Sequence, residues 1–253
     1  MQYIILGSAG GLGSYLFRSL KESEKMVFGI DIRKSDTTTI MLNVSEINKL
    51  GNAIEKIVSQ ASSPISVVMS AIQGDRIRYS KNISDYIGSG EDLLTVPFNS
   101  ILTIASILQS YPREIAKGDN YSDCHHIINI GSTASSKITF SESPYYGAGK
   151  AASHYLIKYL SQQLLSFGII CNTISPALLA RNSASNAFLR KHLDILNPDL
   201  DHTKYSDVFS LISSLSEGRL SGIRGHDFIL DNGLDNYSPF HALQEAVKQI
   251  PDG

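Results

Sequence analysis

Short apolar, β-branched runs alternate along this chain with longer stretches of helical period, and few folds can bury both kinds of segment at once. Strands are predicted at Tyr3 to Leu6, Met26 to Ile32, Thr39 to Leu42, Ile65 to Ser70, His126 to Ile130, Ile169 to Ile174 and Asp227 to Leu230. Helices are predicted at Leu12 to Glu22, Ser45 to Gln60, Glu91 to Gln109, Tyr146 to Phe167 and Lys204 to Leu215. Pro97 lies inside the third of these and is expected to kink it or to mark its first turn. Strand–helix alternation of this kind is satisfied by a parallel sheet with helices on both faces, so the fold class is α/β, a doubly wound Rossmann-type sheet of about seven strands. No repeat, low-complexity tract or Pro/Gly/Ser-rich linker divides the 253 residues, and the reading is one domain over 1–253.

Charge narrows the function. Lys plus Arg number 22 against 24 Asp plus Glu, so no global basic field is available to hold a nucleic-acid backbone or an anionic membrane. The predicted partner is therefore a small molecule. No apolar run is read as long enough to cross a bilayer, and the N-terminus shows no basic segment followed by a cleavage region. A cytoplasmic location is expected. Cys124 and Cys171 stand apart from each other and from any His cluster, which suggests two buried thiols rather than a disulfide or a metal site.

Directly after the first predicted strand comes Gly7-Ser8-Ala9-Gly10-Gly11-Leu12-Gly13, and a helical pattern follows at once. Glycines there let the backbone approach a pyrophosphate, which the amides and positive end of the helix then stabilise. Glycine clusters also mark ordinary tight turns, so the context decides. Asp31 closes the second strand at the spacing, roughly 20 residues on, at which an acid meets an adenosine ribose. A carboxylate there accepts from the 2′-hydroxyl and repels a 2′-phosphate, which favours NAD. Arg33 and Lys34 follow the acid, and a guanidinium at that place keeps NADP open.

Tyr146 and Lys150 stand four apart at the start of a long helical segment, and so share one face. An ammonium beside a phenol stabilises the phenolate, which allows a tyrosine to take up and return a proton. Ser132 follows the strand ending at Ile130, where a hydroxyl can hydrogen-bond a substrate oxygen. The segment Ala177 to Thr203, which carries Arg181, Arg190 and Lys191, follows a strand and is a candidate substrate lid.

Taken together, Gly-x-x-x-Gly-x-Gly at 7–13, Asp31, Ser132 and Tyr-x-x-x-Lys at 146–150 resemble the short, single-domain branch of the short-chain dehydrogenase/reductase family. Asn99, Pro176 and the closing run Gly225-His226-Asp227-Phe228-Ile229-Leu230-Asp231-Asn232-Gly233 fit the same pattern. The resemblance implies an NAD(P)-dependent oxidoreductase that moves a hydride between nicotinamide and a hydroxyl/carbonyl carbon. Tyr146 would exchange the proton, Ser132 would hold the substrate oxygen, Lys150 would bind the nicotinamide ribose and support the phenolate, and Asn99 would hold a water leading to Lys150. Cofactor contacts are implied for Gly7, Ala9, Gly10, Gly11, Leu12, Gly13, Asp31, Ile32, Asn43, Val44, Ala71, Tyr146, Lys150, Pro176 and Ala177. A homodimer or homotetramer is implied as well.

The chain departs from the family pattern in reading Ser70-Ala71-Ile72-Gln73-Gly74 where Asn-Asn-Ala-Gly is usual, and Ala177 and Arg181 where Gly and Thr are usual. Two alternatives stand beside an alcohol/ketone oxidoreductase: a sugar-nucleotide-modifying relative, and a dinucleotide-binding sensor or scaffold without catalysis.

Overall fold

A computed structural model describes residues 1–70, 82–86, 90–115, 121–137, 143–177, 179, 203–220 and 222–233. Among them, seven strands form one sheet: β1 Gln2–Leu6, β2 Met26–Asp31, β3 Ile40–Met41, β4 Ile65–Met69, β5 His125–Ile130, β6 Ile169–Pro176 and β7 Asp227–Leu230. Their order is β3-β2-β1-β4-β5-β6-β7 and every pairing is parallel. The sequence of strands therefore reverses between β1 and β4, and ligand crevices of open α/β sheets form at the carboxyl ends of the strands on either side of such a reversal.

The helices are α1 Gly11–Glu22, α2 Ile47–Ser59, α3 Glu91–Gln109, α4 Pro144–Gln163 and α5 Tyr205–Ser216. Two apolar clusters, one on each face, show that the sheet is covered twice. One joins Ile4, Leu6, Val67, Ile127 and Cys171 to α2, α3 and α4 through Ile54, Ile101, Ile104 and Ile157. The other joins Tyr3, Ile5, Val68, Ile128 and Ile174 to α1 and α5 through Leu16, Leu20, Val208 and Ile212. The alternation of odd and even strand residues between the clusters is the strand period of two. With both faces dry, β1 and β4 are buried at every position and mainly apolar, as buried parallel strands are; the exceptions are Gln2 and Ser66, and the Ser66 hydroxyl pairs with that of Ser216 at 2.8 Å.

Elements and boundaries lie close to those predicted. The fourth predicted helix ends at Gln163, and a 3-10 turn at Leu165–Phe167 tightens its exit. Pro97 sits buried in the interior of α3, which continues through it. Having no amide, Pro97 leaves the Leu93 carbonyl without its helical donor. A Cβ on Gly149 of α4 would lie only 2.1 Å from that oxygen, so α3 and α4 meet there backbone to backbone.

The reading that no run is long enough to span a bilayer is corrected by α3, which by length and composition could cross one. Its apolar stripe, Leu93, Ile101, Ile104 and Leu108, is instead buried in the layer over the sheet, which accounts for the composition. Both cysteines are buried, and burial pushes the Cys124 thiol up to about 11 and that of Cys171 up to about 12.

Candidate functional site

The Gly-rich turn is shaped by backbone alone. Gly7 adopts φ +80°, which favours glycine, and its amide donates to the Ile30 carbonyl at 2.8 Å. The Gly10 amide returns to the Gly7 carbonyl at 3.1 Å. A Cβ on Gly13 would stand 2.1 Å from that same oxygen, so only glycine lets α1 close this tightly on β1. Among the described residues no side chain caps α1, and its first turn holds no acid. Its N-terminal amides and positive dipole are thus presented without a built-in anion, a donor set that suits a diphosphate.

Asp31 ends β2 with its side chain 7% exposed. One carboxylate oxygen accepts the Ala9 amide at 2.9 Å and the other the Arg33 amide at 2.8 Å. The acid thereby ties the Gly-rich turn to the end of β2. The Arg33 guanidinium stands 3.5 Å from the same carboxylate, on a mostly exposed side chain. Thr37 adds a buried hydrogen bond from its hydroxyl to the Ser8 carbonyl at 2.7 Å, a contact with no motif to announce it. Ile32, next after β2, is exposed, and Val44 is half-buried beyond β3. The Asn43 side-chain oxygen accepts the Ser45 amide at 3.1 Å, closing the turn into α2.

The β5 end and α4 form the other half. The Lys150 ammonium is buried and donates to the Ile130 carbonyl at 2.8 Å, while lying 5.7 Å from the centroid of the Tyr146 ring. Ser132, two residues beyond Ile130, is buried too; its Oγ accepts the Ala134 amide at 3.2 Å, and among the described residues its own proton has no acceptor. The short turn Thr133–Ser135 is pressed on the first turn of α4, for a Cβ on Gly147 would stand 2.9 Å from the Ala134 carbonyl. Gly131 is equally constrained: a Cβ there would come 2.4 Å from Ser175 Oγ. Ser132, Tyr146 and Lys150 are consequently gathered where β5 meets α4. Such a group can hold an oxygen, and can give it a proton or take one from it.

Asn99 is placed differently. It lies on α3 off the buried stripe, its side chain exposed, and its carbonyl accepts the Thr103 hydroxyl at 2.9 Å. Pro176 closes β6, and the Ala177 amide donates to the Leu230 carbonyl at 3.0 Å. Ala71, Arg181 and nearly all of the predicted lid between its ends fall outside the described residues.

The histidines serve the frame. His125 accepts the Ile65 amide on Nδ1 at 3.0 Å and pairs Nε2 with the Tyr111 carbonyl, and burial pulls its pKa down to about 4. Burial does the same to His126. His154 pairs with Asp227 at 3.1 Å and so ties α4 to the start of β7. Tyr205, which sequence reasoning did not single out, opens α5 with its hydroxyl directly over Gly11.

An all-parallel sheet with this strand order and a glycine turn at its first crossover defines the dinucleotide-binding class of α/β proteins. Residues 21–235 match the family model described as enoyl-(acyl carrier protein) reductase. An uncharacterized oxidoreductase, C922.06, of Schizosaccharomyces pombe is 26% identical over 91% of this chain and 89% of its own length. A short-chain dehydrogenase from Leptospira borgpetersenii, solved with bound NAD+, superposes with a TM-score of 0.74 at 17% identity over 92% of this chain and 91% of that one. A gluconate 5-dehydrogenase from Burkholderia cenocepacia, solved with NADP and tartrate, gives 0.71 at 17% identity over 94% and 96%. This chain belongs to the short-chain dehydrogenase/reductase family of oxidoreductases.

Proposed function

We propose that the protein oxidises or reduces a hydroxyl/carbonyl carbon of a small molecule with NAD(P), Tyr146 acting as general acid/base. The observation that carries this reading is the buried Lys150 ammonium fixed on the Ile130 carbonyl and facing the Tyr146 ring, with Ser132 on the same strand end. The nicotinamide supplies hydride transfer when bound. Ser132 orients the substrate oxygen by donating its hydroxyl proton to it, Tyr146 exchanges a proton with that oxygen, and Lys150 stabilises the phenolate left behind. The glycine turn and the α1 N-terminus hold the diphosphate, and Asp31 the adenosine ribose.

NAD is the favoured cofactor because the Asp31 carboxylate borders the turn, and NADP is the second choice because Arg33 stands beside it. A symmetric homo-oligomer is part of the proposal. Tyr155 and Tyr159, 70% and 52% exposed one turn apart on α4, and Leu102, exposed on the neighbouring α3, give a twofold contact apolar material to bury.

The test is calorimetric titration with NADH and NADPH, followed by a carbonyl-substrate screen with Tyr146→Phe as control. Expected are tighter NADH binding and a turnover loss of about 100-fold or more in the variant, with NADH affinity unchanged. Turnover that survives in Tyr146→Phe removes the proton-transfer role. Failure of the wild type to bind either cofactor removes the dinucleotide reading.

A further inference from the structure

We infer that His154 is a positioning residue for Tyr146 and Lys150: bound to Asp227, it fixes the rotation of α4 over the sheet. The inference rests on the reading above, in which those two side chains serve the reaction. Tyr146, Lys150 and His154 follow one another at intervals of four along α4 and so share a face. Turning the helix about its axis would carry all three away from the strand ends together.

Apolar packing does not set that rotation where it matters. From Pro144 to His154 the fully buried residues of α4 are Gly149, Lys150 and Ser153, and its large apolar side chains, Leu156, Ile157 and Leu160, are buried only further on. Gly147 and Gly149 set how near the helix lies to the Ala134 and Leu93 carbonyls, but a glycine has no side chain to resist a turn.

Directional bonds complete the placement. The Lys150 ammonium donates at 2.8 Å to the carbonyl of Ile130, the last residue of β5. One helical turn on, His154 Nδ1 donates at 3.1 Å to Oδ2 of Asp227, the first residue of β7. Between them runs β6, with Ile174 beside Ile130 and Thr173 beside Asp227. The two anchors are therefore nearly level and, at two strand spacings, about 10 Å apart. A lysine stem is flexible, and its bond to Ile130 by itself would let the helix swing. The second anchor, from a short and planar side chain, removes that freedom. Asp227 is itself held in place: just before it Gly225, at φ +66°, lies so near α4 that a Cβ there would stand 2.4 Å from Ser161 Oγ. The Asp227 side chain is 14% exposed and its Oδ1 is buried with no partner, so among the described residues the carboxylate is satisfied by His154.

Two variants of the full chain test this. His154→Leu combined with Asp227→Val replaces both partners by apolar groups, which removes the bond without stranding a buried carboxylate and should leave the melting temperature near that of the wild type. Turnover of a carbonyl substrate is expected to fall about tenfold, the scale of one hydrogen bond, while substrate KM and NADH affinity stay within about twofold, because the glycine turn and Asp31 are untouched. His154→Asn, whose side-chain amide donates to Asp227 in place of Nδ1, should recover turnover to within about twofold of the wild type. Wild-type turnover in the double variant, a loss of NADH affinity as large as the loss of turnover, no recovery in His154→Asn, or a double variant that does not fold overturns the inference and leaves the Tyr146 assignment in place. Turnover that survives in Tyr146→Phe overturns both.

Discussion

The two halves of the site are held together by different means. Around the glycine turn the Asp31 carboxylate takes two amides, the Ile30 carbonyl takes two more, and Thr37 reaches the Ser8 carbonyl. Ser8 Oγ is the exception there, buried without a partner among the described residues. Under α4 the balance is reversed. Asn129 Nδ2, Thr173 Oγ1 and Ser175 Oγ are all buried without a partner among the described residues, on the face of β5 and β6 where Ile127 and Cys171 are apolar. The difference teaches that the first half is fixed by directional bonds over a short stretch of chain. The second is fixed by close backbone contacts between distant elements.

The sharpest way to break this comparison is Gly149→Ala. The added methyl would sit 2.1 Å from the Leu93 carbonyl, and backbone oxygens have no rotamer to escape into. A loss of about 3 kcal/mol in urea unfolding is expected, with α3 and α4 forced apart and turnover falling with them. A loss below about 1 kcal/mol would show that packing does not set the second half.

Next in size is Asp31→Ala, which leaves the Ala9 and Arg33 amides without their acceptor. Stability should fall by about 1–3 kcal/mol, and the preference for NADH over NADPH should shrink. Stability preserved with preference lost would make Asp31 a reader of the ribose and no tie for the turn.

The smallest effect is expected from Thr173→Val, which removes a buried hydroxyl while keeping the side-chain shape. Replacing an unpaired polar group in this way should change stability by less than about 1 kcal/mol, or raise it. A larger loss in the same unfolding assay would reveal that Thr173 is hydrogen-bonded after all, and the contrast between the halves would dissolve.

Much of the frame was legible beforehand because its signals are local. Buried parallel strands such as Ile65–Met69 must be mainly apolar, and α1 must present Leu12, Leu16, Phe17 and Leu20 at helical spacing, so both can be read within a dozen residues. Pro97 was harder. Locally it predicts a break or a first turn, and only the presence of Gly149 against Leu93 shows why a buried proline is accommodated in mid-helix. The apolar character of α3 likewise needed its neighbours before it could be assigned to a covered layer.

For the site, sequence by itself determined the residue types and spacings: glycines where a turn needs positive φ and close approach, an acid at the end of β2, and a phenol one helical turn before an ammonium. These depend on neighbours within one or two elements. Tertiary structure alone decided that Lys150 is anchored on Ile130, that Asn99 faces solvent, that His154 meets Asp227, and that Tyr205 hangs over Gly11. Each of these depends on how helices are set against a twisted sheet, a matter of long-range packing in which many side chains share the outcome and no single spacing carries it.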